Sequence, residues 1–292
     1  MPILKVILLA IIQGLAELLP VSSSAHVIVA EKLMGLDPSS PQMTLLLVML
    51  HTGTMFAVIV FFWKTWKQVY FPSGEAFSRF VQRLIWATVL TGILGEAIKK
   101  LIEKTVFHGA PKAEIEDLFG RLDLIAPALA AAGMLILIAG FYERRQKRRA
   151  ESGDTITFRQ ASVMGLVQGL ALPFRGFSRS GSTISTGLLA GAAKDQAERF
   201  SFAMAVILTP AVVALEALRL EKAHRAAVTA GVPIDSHGAV LYSTLGMLFS
   251  FLAGLVALKW LSSWLENGRW YLFGIYCLLA SGVVFFLYTQ GF

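Results

Sequence analysis

The chain has 292 residues, 55% of them hydrophobic and only 15% charged, with a mean hydropathy of +0.65. A soluble globular chain carries nearer 25% charged residues, so this is the composition of a membrane protein, and it excludes a disordered chain, a disulfide scaffold and a nucleic-acid-binding domain. The net charge of +7 does not imply a polyanion partner, because the basic residues sit in gaps between apolar runs, as cytoplasmic loops do. The single cysteine, Cys277, lies inside an apolar run and offers no thiolate metal site. Met1 to Leu19 has the apolar look of a signal peptide. Glu17 interrupts it and no small-residue cleavage site follows, so it reads as mature sequence.

A spanning helix needs about 20 mostly apolar residues. The chain opens with two pieces too short for that, Val6–Ala16 and Leu18–Ala30, around a polar turn at Pro20–Ser24. Predicted spans follow at Pro38–Trp63, Leu84–Ile98 (with Glu96) and Leu124–Tyr142. A second short pair, Gln160–Phe174 and Ser180–Ala193, surrounds the turn Arg175–Ser182. Three more spans complete the chain, at Phe200–Leu218 (with Glu216), Ser236–Leu258 and Trp270–Phe292. Paired half-length helices read as re-entrant hairpins, here 3–34 and 160–193, which survive at membrane depth only where they line a protein cavity. The expected fold is an all-α polytopic membrane domain of six transmembrane helices and two re-entrant helical hairpins.

Gln13-Gly14-Leu15-Ala16 recurs as Gln168-Gly169-Leu170-Ala171, a shift of 155 residues. Without gaps the same shift lays Ser23 on Ser178, and Leu84–Ile98 on the apolar run that begins at Ala239. This divides one membrane domain, 1–292, into repeat 1 (1–141), a basic connector (142–159) and repeat 2 (160–292), the sequence mark of transporter-like folds. Arg144, Arg145, Lys147, Arg148, Arg149 and Arg159 place the connector in the cytoplasm. A hairpin and three spans per half invert the second repeat relative to the first. The hairpins then enter from opposite faces, their polar tips can meet near the midplane, and both termini lie outside.

Charged groups inside a bilayer are costly and usually functional. Glu17 lies four residues after Gln13, so the two share a helical face. Pro20-Val21-Ser22-Ser23-Ser24-Ala25-His26 follows, a helix stop with three hydroxyls and an imidazole. The second tip is Arg175-Gly176-Phe177-Ser178-Arg179-Ser180-Gly181-Ser182-Thr183, with a helix expected from about Ser182. A helix N-terminus suits an anion such as phosphate, and Arg179 adds a planar fork for two of its oxygens. The plainer alternative pairs Arg179 with Glu17 as a structural ion pair, which leaves the hydroxyls and glycines unexplained. Carboxylate, imidazole, hydroxyls, guanidinium and helix N-terminus together fit phosphoryl transfer on a lipid phosphate.

At these tips the sequence resembles the undecaprenyl-diphosphate phosphatase family associated with bacitracin resistance. The first motif of that family reads here as Gln13, Glu17, Pro20-Val21-Ser22-Ser23 and His26, and the second as Gly176-Phe177-Ser178-Arg179-Ser180-Gly181-Ser182-Thr183. His51-Thr52-Gly53-Thr54 and Ala197-Glu198-Arg199-Phe200-Ser201-Phe202 also resemble family segments. The resemblance implies hydrolysis of the terminal phosphate of a polyprenyl diphosphate, recycling the carrier lipid of cell-wall polymers in the bacterial inner (plasma) membrane, with a site opening toward the outer, periplasmic face. It implies a divalent cation, Mg2+ or Ca2+, held by Gln13 and Glu17. It further implies catalysis by Glu17, Ser23, His26 and Arg179, and diphosphate binding by Ser178, Arg179, Ser180 and Thr183. The expected partners are the lipid substrate and the membrane, with no nucleic acid, and the reading accommodates a homodimer. Many members of the family carry Glu where this chain has Gln13. The usual Pro-Gly before the second motif is here Pro173-Phe174-Arg175-Gly176.

Two rivals are separable. The other membrane lipid-phosphatase class needs Pro-Ser-Gly-His, and here Pro72-Ser73-Gly74 is followed by Glu75. A polyprenyl-phosphate transporter or flippase shares the expected architecture and differs in releasing no phosphate.

Overall fold

A computed structural model describes residues 3–36, 41–106, 118, 120–145, 155–229 and 236–292. The centre of the basic connector, with Lys147, Arg148 and Arg149, lies outside the described residues. Among the described residues there is no strand. The helices are α1 (Ile3–Leu18), α2 (Ser23–Leu33), α3 (Pro41–Tyr70), α4 (Gly74–Val106), α5 (Leu122–Arg145), α6 (Phe158–Ala171), α7 (Arg179–Leu189), α8 (Lys194–Thr229), α9 (Ser236–Glu266) and α10 (Trp270–Thr289).

Four of them are long and apolar enough to cross a membrane: Leu45–Tyr70 in α3, Leu122–Arg144 in α5, Val240–Leu265 in α9 and Trp270–Thr289 in α10. The chain is a multi-pass membrane protein. The other two expected spans fall in α4 and α8, which have 33 and 36 residues. At about 1.5 Å per residue each is longer than the roughly 30 Å of bilayer hydrocarbon. Charges such as Glu75 and Arg79 in α4, or Lys194 and Asp195 in α8, gather toward the ends of these helices.

The remaining helices, α1, α2, α6 and α7, run for only 16, 11, 14 and 11 residues. They form two hairpins. Pro20 stops α1, since its ring would clash with the preceding turn. Lys5 at the start of α1 donates to the Met34 carbonyl at the end of α2 at 2.6 Å, and Gln160 at the start of α6 donates to Ala190 at the end of α7 at 3.5 Å. Each chain segment thus returns beside its own beginning.

The hairpins repeat one another in detail. The residues preceding α2 and α7 are Ser22 (φ 67°) and Ser178 (φ 31°), the two positive-φ non-glycine residues among those described. Both helices end in the same glycine-terminated turn. At α2, Gly35 N–H bonds Lys32 O and Leu36 N–H bonds Glu31 O; at α7, Gly191 and Ala192 bond Leu188 O and Gly187 O. These equivalences are spaced by 156 residues, not 155. The ungapped alignment of Ser23 with Ser178 is therefore corrected: Ser22 corresponds to Ser178, and Ser23 to Arg179. One extra residue in the second tip absorbs the difference.

In the packing α1 lies on α9 and α6 on α4, with α5 against α10 and α3 against both α9 and α8. The repeated glycines explain themselves here. A Cβ at Gly14 would come within 2.6 Å of Ala253 Cβ and Ser250 O, and one at Gly169 within 2.7 Å of Thr91 O. Without a hydrophobic drive between helices in lipid, close backbone approach at small residues supplies the packing.

Candidate active site

The two hairpin tips meet. Ser180 Oγ donates to Leu19 O at 3.2 Å, and Gly176 N–H donates to Ser24 Oγ at 3.4 Å. Gly181 tolerates this approach because it lacks a Cβ, which would fall 2.8 Å from the Ile136 side chain and 3.1 Å from Pro20 O.

Glu17, in the last turn of α1, is the centre of the contact, with its side chain 14% exposed. Its Oε1 accepts from the Arg179 guanidinium at 2.5 Å. Its Oε2 accepts from Ser23 Oγ at 2.5 Å and from Gln13 Nε2 at 3.2 Å. Ser23 and Arg179 are each the first residue of a half-length helix, so the side chains that hold this carboxylate come from two helix N-termini. The Arg179–Glu17 ion pair anticipated as the plainer alternative is present, inside the cluster of hydroxyls and glycines.

The imidazole at this cluster is His51, on α3. Its Nδ1 lies 3.0 Å from Gln13 Nε2 and 3.7 Å from Glu17 Oε2. Sequence reasoning counted His51 only within a family-like segment. Its signal was an imidazole inside a predicted span, where polar groups are costly. His26 is placed elsewhere: Nδ1 lies 2.8 Å from the Ser22 carbonyl, to which it donates, and Nε2 lies 2.7 Å from the Tyr276 hydroxyl of α10. The His26 and Tyr276 rings stack with centroids 5.7 Å apart.

The hydroxyls of the second tip serve its architecture. Ser178 Oγ accepts from Gly181 N–H at 3.2 Å and caps α7. Thr183 Oγ1 donates to Arg179 O at 2.8 Å and lies 2.6 Å from Ser201 Oγ. Ser178, Ser180 and Thr183 are all buried. Only Arg179 of the four expected diphosphate ligands reaches Glu17 directly.

A small cleft opens beside Glu17 and Arg179, lined further by Leu18, Met55, Val58, Ala205 and Val206 and by two threonines, Thr54 and Thr209. Thr54 lies on α3 and Thr209 on α8, so the cleft runs between those two helices. It joins a charged floor to apolar walls, the two environments that a lipid phosphate presents.

A hard divalent cation wants oxygen ligands. Glu17 and Ser23 bring a carboxylate and a hydroxyl to one spot and Gln13 turns its amide nitrogen toward them, so its oxygen would join a cation only with the amide turned over, while no group of three or more His, Cys, Asp or Glu forms an all-protein metal cage among the described residues. This donor set fits a cation that takes its remaining ligands from phosphate and water, as magnesium commonly does.

The bacitracin resistance protein BacA family matches residues 6–283 of the chain. The chain is 57% identical to undecaprenyl-diphosphatase 2 of Acinetobacter baylyi over 97% of both sequences. It is 36% identical to an undecaprenyl-diphosphatase of Syntrophotalea carbinolica over 98% of both, and 32% identical to one of Korarchaeum cryptofilum over 96% of this chain and 97% of that protein. With the motif residues gathered around Glu17 and similarity running through nearly the whole length, the chain belongs to the bacitracin resistance protein BacA family.

Proposed function

We propose that this protein hydrolyses undecaprenyl diphosphate to undecaprenyl phosphate and inorganic phosphate, recycling the carrier lipid for cell-wall polymers and giving bacitracin resistance. The observation that carries this reading is the Glu17 carboxylate holding Ser23 and Arg179 together where two helix N-termini converge. The flippase reading finds no counterpart among the relatives, whose names are those of phosphatases.

The diphosphate lies over the helix ends, its oxygens taken by the free Arg179 nitrogens and open backbone N–H groups. Ser23 Oγ, already donating to Glu17, attacks the terminal phosphorus while its proton passes to Glu17. The bond to the bridging oxygen breaks and undecaprenyl phosphate leaves. Glu17 hands that proton to the departing phosphate, then deprotonates a water that attacks the Ser23 phosphoester, and the proton returns to Ser23 Oγ as inorganic phosphate leaves. A divalent cation, magnesium or calcium, held by Glu17, the Gln13 amide oxygen and the substrate, would neutralise the phosphate charge. His51 supports Gln13 and Glu17, and His26 holds α2 against α10 through Tyr276. Ser178, Ser180 and Thr183 keep the tip in shape for the phosphates.

In this reading the hairpins are re-entrant, the halves are inverted, the connector is cytoplasmic, and the site opens toward the outer face of the bacterial inner membrane. Phosphate release from undecaprenyl diphosphate by the purified protein, with and without chelator, is the test. A folded protein that binds the lipid and releases no phosphate refutes the proposal.

A further inference from the structure

The residue ahead of Ser23 is held in place from the far end of the chain. Ser22 is buried at φ 67°, a conformation that a residue with a side chain keeps only where its surroundings fix it. Its hydroxyl makes no cap on α2, whereas Ser178, its counterpart in the second tip, caps α7 through Gly181 N–H. In the first tip His26 takes over that task. Its Nδ1 lies 2.8 Å from the Ser22 carbonyl, and its backbone N–H donates to the same oxygen at 3.4 Å. A carbonyl only accepts, so Nδ1 carries the proton. Nε2 of the neutral ring is then an acceptor, and the Tyr276 hydroxyl donates to it at 2.7 Å. The two ring planes lie 12° apart. Tyr276 belongs to the span Trp270–Thr289, where a hydroxyl finds no water and keeps its protein partner. Its neighbour Cys277 donates from Sγ to Pro20 O at 3.4 Å, so α10 grips the first tip at two points. Helix α10 is itself seated closely on α5, since a Cβ at Gly274 would fall 2.8 Å from Gly133 O. The second tip rests on that same α5, where a Cβ at Gly176 would fall 2.6 Å from Ile125 O.

We infer that Tyr276 is a positioning residue for Ser23: its hydroxyl fixes the His26 imidazole, which locks the Ser22 carbonyl and so aims Ser23 Oγ at Glu17 and the phosphorus. Ser23 follows Ser22 directly, and rotation of the Ser22 backbone would swing Oγ away from Glu17, to which it donates at 2.5 Å. The hydroxyl also selects the ring tautomer, because a ring protonated on Nε2 would turn a bare Nδ1 toward the carbonyl. Tyr276 touches no reacting atom. The platform of α5 and α10 thereby sets the nucleophile of one tip against the guanidinium of the other. The catalytic consequence rests on the phosphatase reading, and the hydrogen-bonded relay does not.

The full-length protein, carrying isotope-labelled histidine, is compared in detergent with its Tyr276→Phe, His26→Asn and doubly substituted variants, by NMR of the ring nitrogens and by kcat and KM for phosphate release. The signals that His26→Asn removes belong to His26, and they should show a proton on Nδ1 and a hydrogen-bonded Nε2. Tyr276→Phe keeps the stacked ring and removes only the hydroxyl. It should move the Nε2 signal to that of an unbonded nitrogen, lower kcat by about tenfold to a hundredfold and leave KM within about twofold. In His26→Asn the shorter amide can still donate to Ser22 O but no longer reaches Tyr276, so Tyr276→Phe should cost nothing further there. If His26→Asn does not fold, the difference between the wild-type and Tyr276→Phe spectra identifies the ring and decides the matter. Identical spectra disprove the hydrogen bond. A moved signal with wild-type kcat, or a raised KM at unchanged kcat, overturns the positioning of Ser23, and a full Tyr276→Phe penalty in the His26→Asn background overturns the relay. The spectra are read without substrate, so a wild-type protein that releases no phosphate would sink the functional reading while the bond between Tyr276 and His26 stayed measurable.

Discussion

Replacing Arg179 by lysine keeps a positive charge beside Glu17 and removes the planar fork. One guanidinium nitrogen reaches Glu17 Oε1 at 2.5 Å, and the two side chains are 19% and 14% exposed, so most of the pair is out of water. A lysine ammonium can keep that contact as a point charge. It cannot hold Glu17 and two phosphate oxygens in one plane at once. Each charge-assisted hydrogen bond withdrawn costs about 1.5–3 kcal/mol. At about 1.4 kcal/mol per factor of ten, one lost bond predicts a fall in kcat/KM of roughly 10- to 160-fold. The melting temperature should barely move, because Glu17 keeps its counter-charge. Arg179→Ala supplies the contrast: it strands the carboxylate, costs about 3–5 kcal/mol of stability and lowers the melting temperature as well. Phosphate release across a range of lipid concentrations, with a melt of each variant, separates the two losses. Near-wild-type kcat/KM in Arg179→Lys would refute the clamp and leave Arg179 as a counter-charge for Glu17 only.

Ser23→Ala removes the hydroxyl that donates to Glu17 at 2.5 Å, and should reduce turnover by about a thousandfold or more and abolish any trapped phosphoprotein; full turnover in this variant would assign the attack to water. Gln13→Glu restores the carboxylate pair commoner in the family, and His51, 3.0 Å from the Gln13 amide, is in place to partner the new charge in a site only 2% exposed at Gln13. The variant should fold and bind magnesium more tightly by direct calorimetric titration, and a folded variant with unchanged metal affinity would remove Gln13 from the metal site. Arg148→Cys in a Cys277→Ser background should react with an impermeant thiol reagent only from the cytoplasmic side, and labelling in intact cells would reverse the proposed orientation.

What the sequence determined by itself is the inventory of helices and the polar residues of the tips. Apolar run length measured against bilayer thickness separates the half-length pieces of 3–33 and 158–189 from the long helices, because a helix too short to cross must turn back. Gln13 and Glu17 were legible together because four residues make one helical turn, a purely local relation. The partners of Glu17 from other helices were not legible in this way. Choosing His51 over His26 depends on α3 passing beside α1 and on Ser22 and Tyr276 holding His26 elsewhere, contacts separated by 38 and 250 residues that no local periodicity encodes. The offset of the repeat at the tips was hidden for a related reason. Hydropathy aligns whole spans and is blind to one inserted loop residue, whereas Ser22 and Ser178 are matched by positive φ and their place at a helix start, which only the folded backbone displays. Arg179 meeting Glu17 across 162 residues is likewise a product of two hairpins closing on each other: the sequence supplies both charges, and the packing of the halves brings them to 2.5 Å.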